Sequence, residues 1–234
     1  MATYILVPGA WLGAWAWRDV AAGLRGRGHE VYALSLTGLG ERSHLAGPEV
    51  GLDTHIADIV NLVESEDLRE VILVAHSYSG APVTGAADRL GERLSRVVWV
   101  DSAPFADGMG MTAFVSPEEL CDDPVSIPFP GGANLAAGDS GRGLTAEHVA
   151  LLDARAKPHP RKSYTDALSL TGGQTARNVL IAADDTRGMV AAGLPILSFF
   201  GEDFDRFDLD TGHWPMLSAP GELAEVLSKV ASGD

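Results

Sequence analysis

Cysteine is all but missing: Cys121 is the single one in 234 residues. No internal disulfide is possible, and a thiolate metal cluster is excluded. Basic residues are also scarce, with 17 Lys and Arg against 32 Asp and Glu and a formal charge of −15. A surface this acidic repels nucleic acid and anionic membranes, and no basic cluster offsets it. Long hydrophobic runs are absent as well. Val190–Phe200, the longest late apolar stretch, is broken by Gly193 and Pro195 and falls well short of the ~20 residues a membrane span needs. Met1–Trp17 has no basic start and is interrupted by Pro8 and several glycines, which is unlike a signal peptide. These absences lead us to expect a soluble, cytoplasmic protein with no nucleic-acid or membrane partner. They leave the oligomeric state open, a homodimer included. No internal repeat or linker splits the chain, so one domain over residues 1–234 is expected.

What is present is apolar: 46% of residues are hydrophobic, too many for a disordered chain. A chain this long buries roughly 70–75% of its unfolded surface and needs no staple. Thr3–Val7, Val31–Leu34, Val71–Ala75, Val97–Val100 and Val179–Ala183 are short apolar runs that end at turn residues. They read as buried strands, with Phe207–Asp210 as a weaker sixth. Helix candidates lie between them at Trp15–Arg27, Leu52–Glu64, Gly80–Leu94 and Gly221–Val230. Strands spaced by helices predict an α/β fold with a parallel six-stranded sheet covered on both faces. Ala103–Gly173 breaks this rhythm, being rich in Pro and Gly. It reads as a small lid inserted between the fourth and fifth strands, with short helices at Leu144–Leu152 and Tyr164–Leu170.

Chemistry concentrates in Val71-Ile-Leu-Val-Ala-His-Ser-Tyr-Ser-Gly80. A buried strand runs into Ser77 and a helix follows, the setting of a nucleophile elbow. Residues two before and two after such a serine must be small, and here they are Ala75 and Ser79. The plainer reading is a serine that only caps the helix at Gly80. A nucleophilic serine needs a base, and the base needs a carboxylate to set its tautomer. Of seven histidines, His213 is best placed, following the last strand in Thr211-Gly-His-Trp-Pro-Met216. His76 is expected to pack, and His29, His44, His55, His148 and His159 to be solvated or structural. Asp185, which follows the fifth strand 28 residues before His213, is the expected acid. Asp184 and Asp101 are alternatives; Asp203 and Asp205 lie too close to His213 to admit a helical crossover. Two backbone N–H groups are needed for an oxyanion, and Tyr78 and Ala10 are placed to supply them. Trp11, Phe105 and Trp214 are candidate pocket residues, while Trp15 and Trp17 are assigned to helix packing. Gly38-Leu39-Gly40 lacks the third glycine of a dinucleotide fingerprint. No phosphate-binding loop or zinc spacing occurs, so neither cofactor nor metal is expected.

The segments V-P-G-A-W-x-G-x-W-x-W, A-H-S-Y-S-G, V-D-S-A-P-F-A-D-G and G-H-W-P-M-L-S-x-P-x-E-L together resemble one branch of the α/β-hydrolase fold. That branch holds plant methylesterases, hydroxynitrile lyases and small bacterial esterase-like proteins. The resemblance covers almost the whole chain and is weakest in the lid. It implies Ser77 as nucleophile, His213 as base, Asp185 as acid, and Ala10 and Tyr78 as oxyanion donors. The chain departs from the pattern at Ala75 and Ser79, where two glycines are usual, and at Pro8, where the first loop commonly has His. Hydroxynitrile lyases of the branch carry a threonine and a lysine where Gly9 and Trp214 stand. The resemblance therefore implies a serine hydrolase acting on a small apolar ester. The altered elbow motivates two alternatives: a lyase, cyclase or isomerase of polyketide-like metabolism with His213 as general base, and a ligand-binding pseudo-enzyme.

Overall fold

The computed structural model describes residues 1–115, 120 and 122–232; Cys121 lies outside them. Among the described residues eight strands occur in chain order: β1 (Thr3–Val7), β2 (Glu30–Ala33), β3 (Val71–His76), β4 (Leu94–Val100), β5 (Ser126–Ile127), β6 (His159–Pro160), β7 (Arg177–Ala182) and β8 (Phe204–Asp208). The helices are α1 (Arg18–Gly26), α2 (Leu52–Ser65), α3 (Gly80–Leu90), α4 (Gly132–Leu135), α5 (Ala146–Arg155), α6 (Lys162–Thr165), α7 (Asp184–Ala191), α8 (Pro215–Ser218) and α9 (Pro220–Ser232). Six strands form one sheet in the order β2-β1-β3-β4-β7-β8, and every pairing in it is parallel.

The continuous apolar runs are explained by burial on both faces. Ile5, Leu73, Val97 and Leu180 enter one core. Their neighbours Leu6, Val74, Val98 and Ile181 enter the other. On the first face Ile56 and Ile59 of α2 and Val83 and Ala87 of α3 complete the packing. On the second, Val20 and Leu24 of α1 meet Leu223 and Leu227 of α9. The three- or four-residue spacing of those pairs keeps each on one helix side. Each of the Val, Leu and Ile side chains among them, once buried, contributes roughly 1.5–3 kcal/mol.

Boundaries differ from expectation where a turn or an exposed edge decides. Helix α3 stops at Leu90 because Gly91 takes φ +47°, and the residues from Leu94 onward pair with β3 instead. Strand β8 begins three residues before the expected Phe207, since Phe204 pairs with Asn178. As an edge strand, half-covered and bearing Asp205 and Asp208, it lacks the apolar run that marks the others. Between β4 and β7 the chain forms α4, α5, α6 and the antiparallel pair β5–β6. That pair departs from the expectation of short helices alone, and α6 is a single turn that overlaps only the start of the helix expected at Tyr164–Leu170.

The strand order reverses at β1, with β2 on one side and β3 on the other. Loops leaving β1 and β3 part there and open a crevice at the carboxyl edge, the usual ligand position of such sheets. His76, the last residue of β3, pairs with Val100, the last of β4, so the residues that follow, Ser77 and Asp101, emerge side by side.

Candidate active site

Ser77 has φ +51°, a left-handed conformation that a non-glycine residue adopts only under strain. That is the backbone signature of a sharp strand-to-helix turn. Ala75 is fully buried and packs in the core. Ser79 does not face the crevice: its Oγ accepts from His76 N–H at 2.7 Å and lies 3.0 Å from the Val7 carbonyl and 2.9 Å from the His76 carbonyl. The hydroxyl thus ties the turn to β1. The demand for a bare backbone falls one residue later, at Gly80, where a Cβ would meet Ser102 Oγ at 2.6 Å and the Ala103 carbonyl at 2.7 Å. Ser102 Oγ–H in turn donates to the Ser77 carbonyl at 2.8 Å. The hydrogen bonds of the described residues include none from Ser77 Oγ, which borders the cavity.

The sequence order points to Asp185 as the partner of His213; the hydrogen bond is made by Asp101. His213 Nδ1–H donates to Asp101 Oδ2 at 2.7 Å, whereas Asp185 Oδ2 lies 3.3 Å from the same nitrogen. Asp101 takes φ +44°, which turns its side chain beneath His213. Its other oxygen accepts Ala183 N–H at 3.1 Å and Thr186 N–H at 2.9 Å. Those amides open α7, whose positive end favours the carboxylate. The Asp101 side chain is 0% exposed, against 29% for Asp185. Asp185 also spends an oxygen on Ser140 Oγ–H at 2.6 Å. Asp184 faces elsewhere and pairs with Arg142 and Arg187. Asp203 and Asp205 pair with Arg177 at the start of β7.

Burial alone would lower the pKa of His213. The hydrogen bond to Asp101 and the charges of Asp101 and Asp185 outweigh it, so the pKa is raised above the ordinary 6.5. Burial alone would raise Asp101; the bonds from His213 and Thr186 and the neighbouring imidazole hold it below 3.8 instead. Asp101, Asp185 and His213 bring ligand-type atoms within 4.8 Å of one another. The N–H···O contacts around a protonated Nδ1 account for that convergence. His76 is fully buried beside them, and burial lowers its pKa. Its Nε2–H donates to the His213 carbonyl at 2.7 Å, and the two rings lie 4.8 Å apart. It packs, as expected, and it also fixes the backbone of His213.

Ala10, Tyr78, Ser77 and His213 line one cavity of about 510 Å³. Trp11, Phe105 and Trp214 line it too. The remaining wall is mostly apolar, with Met111, Phe114, Leu135 and Ile196 among its members. No lysine or arginine borders the cavity among the described residues.

Sequence reasoning missed a buried cluster behind Tyr78. His55 and His159 are both fully buried. Tyr78 O–H donates to His55 Nδ1 at 2.7 Å, since His55 Nε2–H is committed to the Thr37 carbonyl at 2.9 Å. Tyr164 stacks on Tyr78 at 5.0 Å, and the His159 ring stands edge-on to it at 4.2 Å. Nothing in the spacing of these residues signals the cluster, because they come from α2 and from the segment before β7.

The alpha/beta hydrolase family matches residues 4–226, and the chain belongs to that family. A carbendazim hydrolyzing esterase from Nocardioides sp. is 36% identical, over 97% of this chain and 99% of that protein. Methylesterase 9 from Arabidopsis thaliana is 26% identical, over 99% and 98%. A solved methylesterase from Arabidopsis superposes with a TM-score of 0.82 at 21% identity, covering all of both chains. An extracellular alpha/beta-hydrolase from a Paenibacillus species gives 0.83 at 19% identity, over 98% of each. Within its family the chain is a carboxylic ester hydrolase. No helix among the described residues is long and apolar enough to cross a membrane.

Proposed function

We propose that the protein hydrolyses small, uncharged, apolar or aromatic esters by acyl transfer to Ser77, with His213 as base and Asp101 as the acid of the triad. The observation that carries this reading is the 2.7 Å bond from His213 Nδ1 to buried Asp101, on the same cavity as a serine held at φ +51°. With Nδ1–H committed, Nε2 keeps the lone pair that takes the serine proton. Such hydroxyl–imidazole bonds are often long or misaligned before substrate arrives and tighten in the complex. Ser77 Oγ attacks the ester carbonyl, and the oxyanion is held by the N–H groups of Ala10 and Tyr78. His213 returns the proton to the leaving alkoxide. Water, deprotonated by His213, then releases the acid and restores Ser77. Asp185 adds a second negative charge near the imidazolium.

The segment of residues 103–173 serves as the lid, supplying Phe105, Met111 and Phe114 to the apolar wall. With no Lys or Arg bordering it among the described residues, the cavity disfavours anionic substrates and leaves a newly formed carboxylate unpaired, which aids release. The test is hydrolysis of a neutral aryl ester together with labelling by a fluorophosphonate. Ser77→Ala is expected to lower turnover by about 10⁵–10⁶-fold and to abolish labelling. Hydrolysis retained by that variant overturns the assignment.

A further inference from the structure

Trp11 follows the oxyanion donor Ala10, and its backbone takes φ +65°. Both of its backbone polar groups are paired across the fold with residues just before α6. Trp11 N–H donates to His159 Nδ1 at 3.2 Å, and Lys157 N–H donates to the Trp11 carbonyl at 3.0 Å. The first bond dictates the state of His159. Its Nδ1 must be unprotonated, so the neutral ring carries its proton on Nε2. That nitrogen faces Ser163 Oγ at 3.1 Å, and Ser163 Oγ–H is free to donate to the Pro160 carbonyl at 2.7 Å. Every polar atom of the ring is therefore satisfied in one tautomer only. The same ring stands against Tyr78, the second donor residue, at 4.2 Å, and Tyr164 covers the other part of the Tyr78 ring.

We infer that His159 is a positioning residue for the oxyanion hole. Resting on the hydrolase reading above, it fixes the Ala10–Trp11 peptide through Trp11 N–H and braces the ring of Tyr78, so both donors keep their aim from one buried side chain. His159 touches no reacting atom. The machinery carried by β1 and β3 is thus completed by the lid segment, which orders the first loop as well as walling the cavity.

The test pairs kinetics with amide exchange in the full chain. His159→Leu removes the acceptor at similar volume; His159→Asn retains an oxygen near the position of Nδ1. His159→Leu is expected to lower kcat on an aryl ester about 10–100-fold, less than the ~10²–10³-fold lost with an oxyanion donor itself. KM should stay within about twofold, and inhibition by an aryl trifluoromethyl ketone should weaken in step with kcat. His159→Asn should recover kcat to within roughly threefold of the parent. The Trp11 amide should be protected from hydrogen exchange in the parent and exchange at least ~10-fold faster in His159→Leu. A folded His159→Leu with parental kcat, or with its loss confined to KM, overturns the inference. So does an unprotected Trp11 amide in the parent, a result that needs no folded variant. The exchange measurement reads the brace without any turnover, so absent esterase activity sinks the hydrolase reading separately.

Discussion

The carboxyl edge of the sheet and the segment between β4 and β7 reach the same cavity by different physical routes. At the sheet edge, Ser77 and Asp101 each follow a strand whose register is set by a run of paired, doubly buried residues. Ser77 and Asp101 keep their strained backbones because β3 and β4 hold them there. The intervening segment has only short helices and a two-residue pair of strands. Its order comes from side chains and loops that reach back to the sheet edge. Gly212 N–H and His213 N–H donate to the carbonyls of Arg142 and Ser140 at 3.1 and 2.7 Å, while Lys157 and His159 hold Trp11. The difference teaches that a stretch of irregular chain can do more than wall a cavity: here it ties down the loops that bear His213 and Ala10.

Exchanging carboxylates tests that contrast most severely. Asp101→Asn, at the sheet edge, is expected to lower kcat about 10⁴-fold, as losing the group that sets the tautomer does in other triads. Asp185→Asn, which also loosens the contact with Ser140, is expected to cost less than ~10-fold. Only neutral imidazole accepts the serine proton, so activity falls as pH drops through the His213 pKa. That pKa is raised above 6.5 partly by the Asp185 charge; the acid limb of kcat/KM should therefore move to lower pH in Asp185→Asn. If the two variants exchange these outcomes, Asp185 is the acid. A milder test compares a neutral aryl ester with one of equal size bearing a carboxylate. The charged ester should show kcat/KM lower by about 10-fold, with the gap narrowing as salt is raised.

The smallest catalytic effect is expected where the segment rejoins the sheet. Asp88 on α3 accepts Thr171 N–H, Thr171 Oγ1–H and Gly173 N–H at 2.8, 2.9 and 2.7 Å. Asp88→Ala should cost about 1–3 kcal/mol of stability, seen as a lower urea midpoint, with kcat unchanged. A large loss of kcat at full stability would mean that this anchor serves the chemistry.

Sequence reading succeeded where side-chain type and position are coupled by regular structure. The doubly buried strands β1, β3, β4 and β7 announce themselves as β-branched runs, and the positions of Ala10, Ser77 and Tyr78 on the chain follow from where β1 and β3 stop. The choice among carboxylates was not legible, because Asp101 and Asp185 both lie just beyond an apolar strand run. What separates them is a positive φ at Asp101 and two amides from the start of α7, neither of which leaves a mark on residue type. The cluster of His55, Tyr78, His159 and Tyr164 was hidden for a related reason: it unites residues over a hundred positions apart through an irregular segment with no period. The hydroxyl of Ser79 looked like a departure near the chemistry and is instead a buried fastening between two strands.

The pairing of His76 with Val100 also bears on how such an enzyme diversifies. Ser77 and Asp101 are each the first residue beyond two neighbouring, hydrogen-bonded strands, so their separation is inherited from one strand pair. Insertions or deletions anywhere from 103 to 173 leave that separation untouched. New substrates are then within reach by rewriting the stretch that follows Asp101, provided each revision still delivers a lone pair to Trp11.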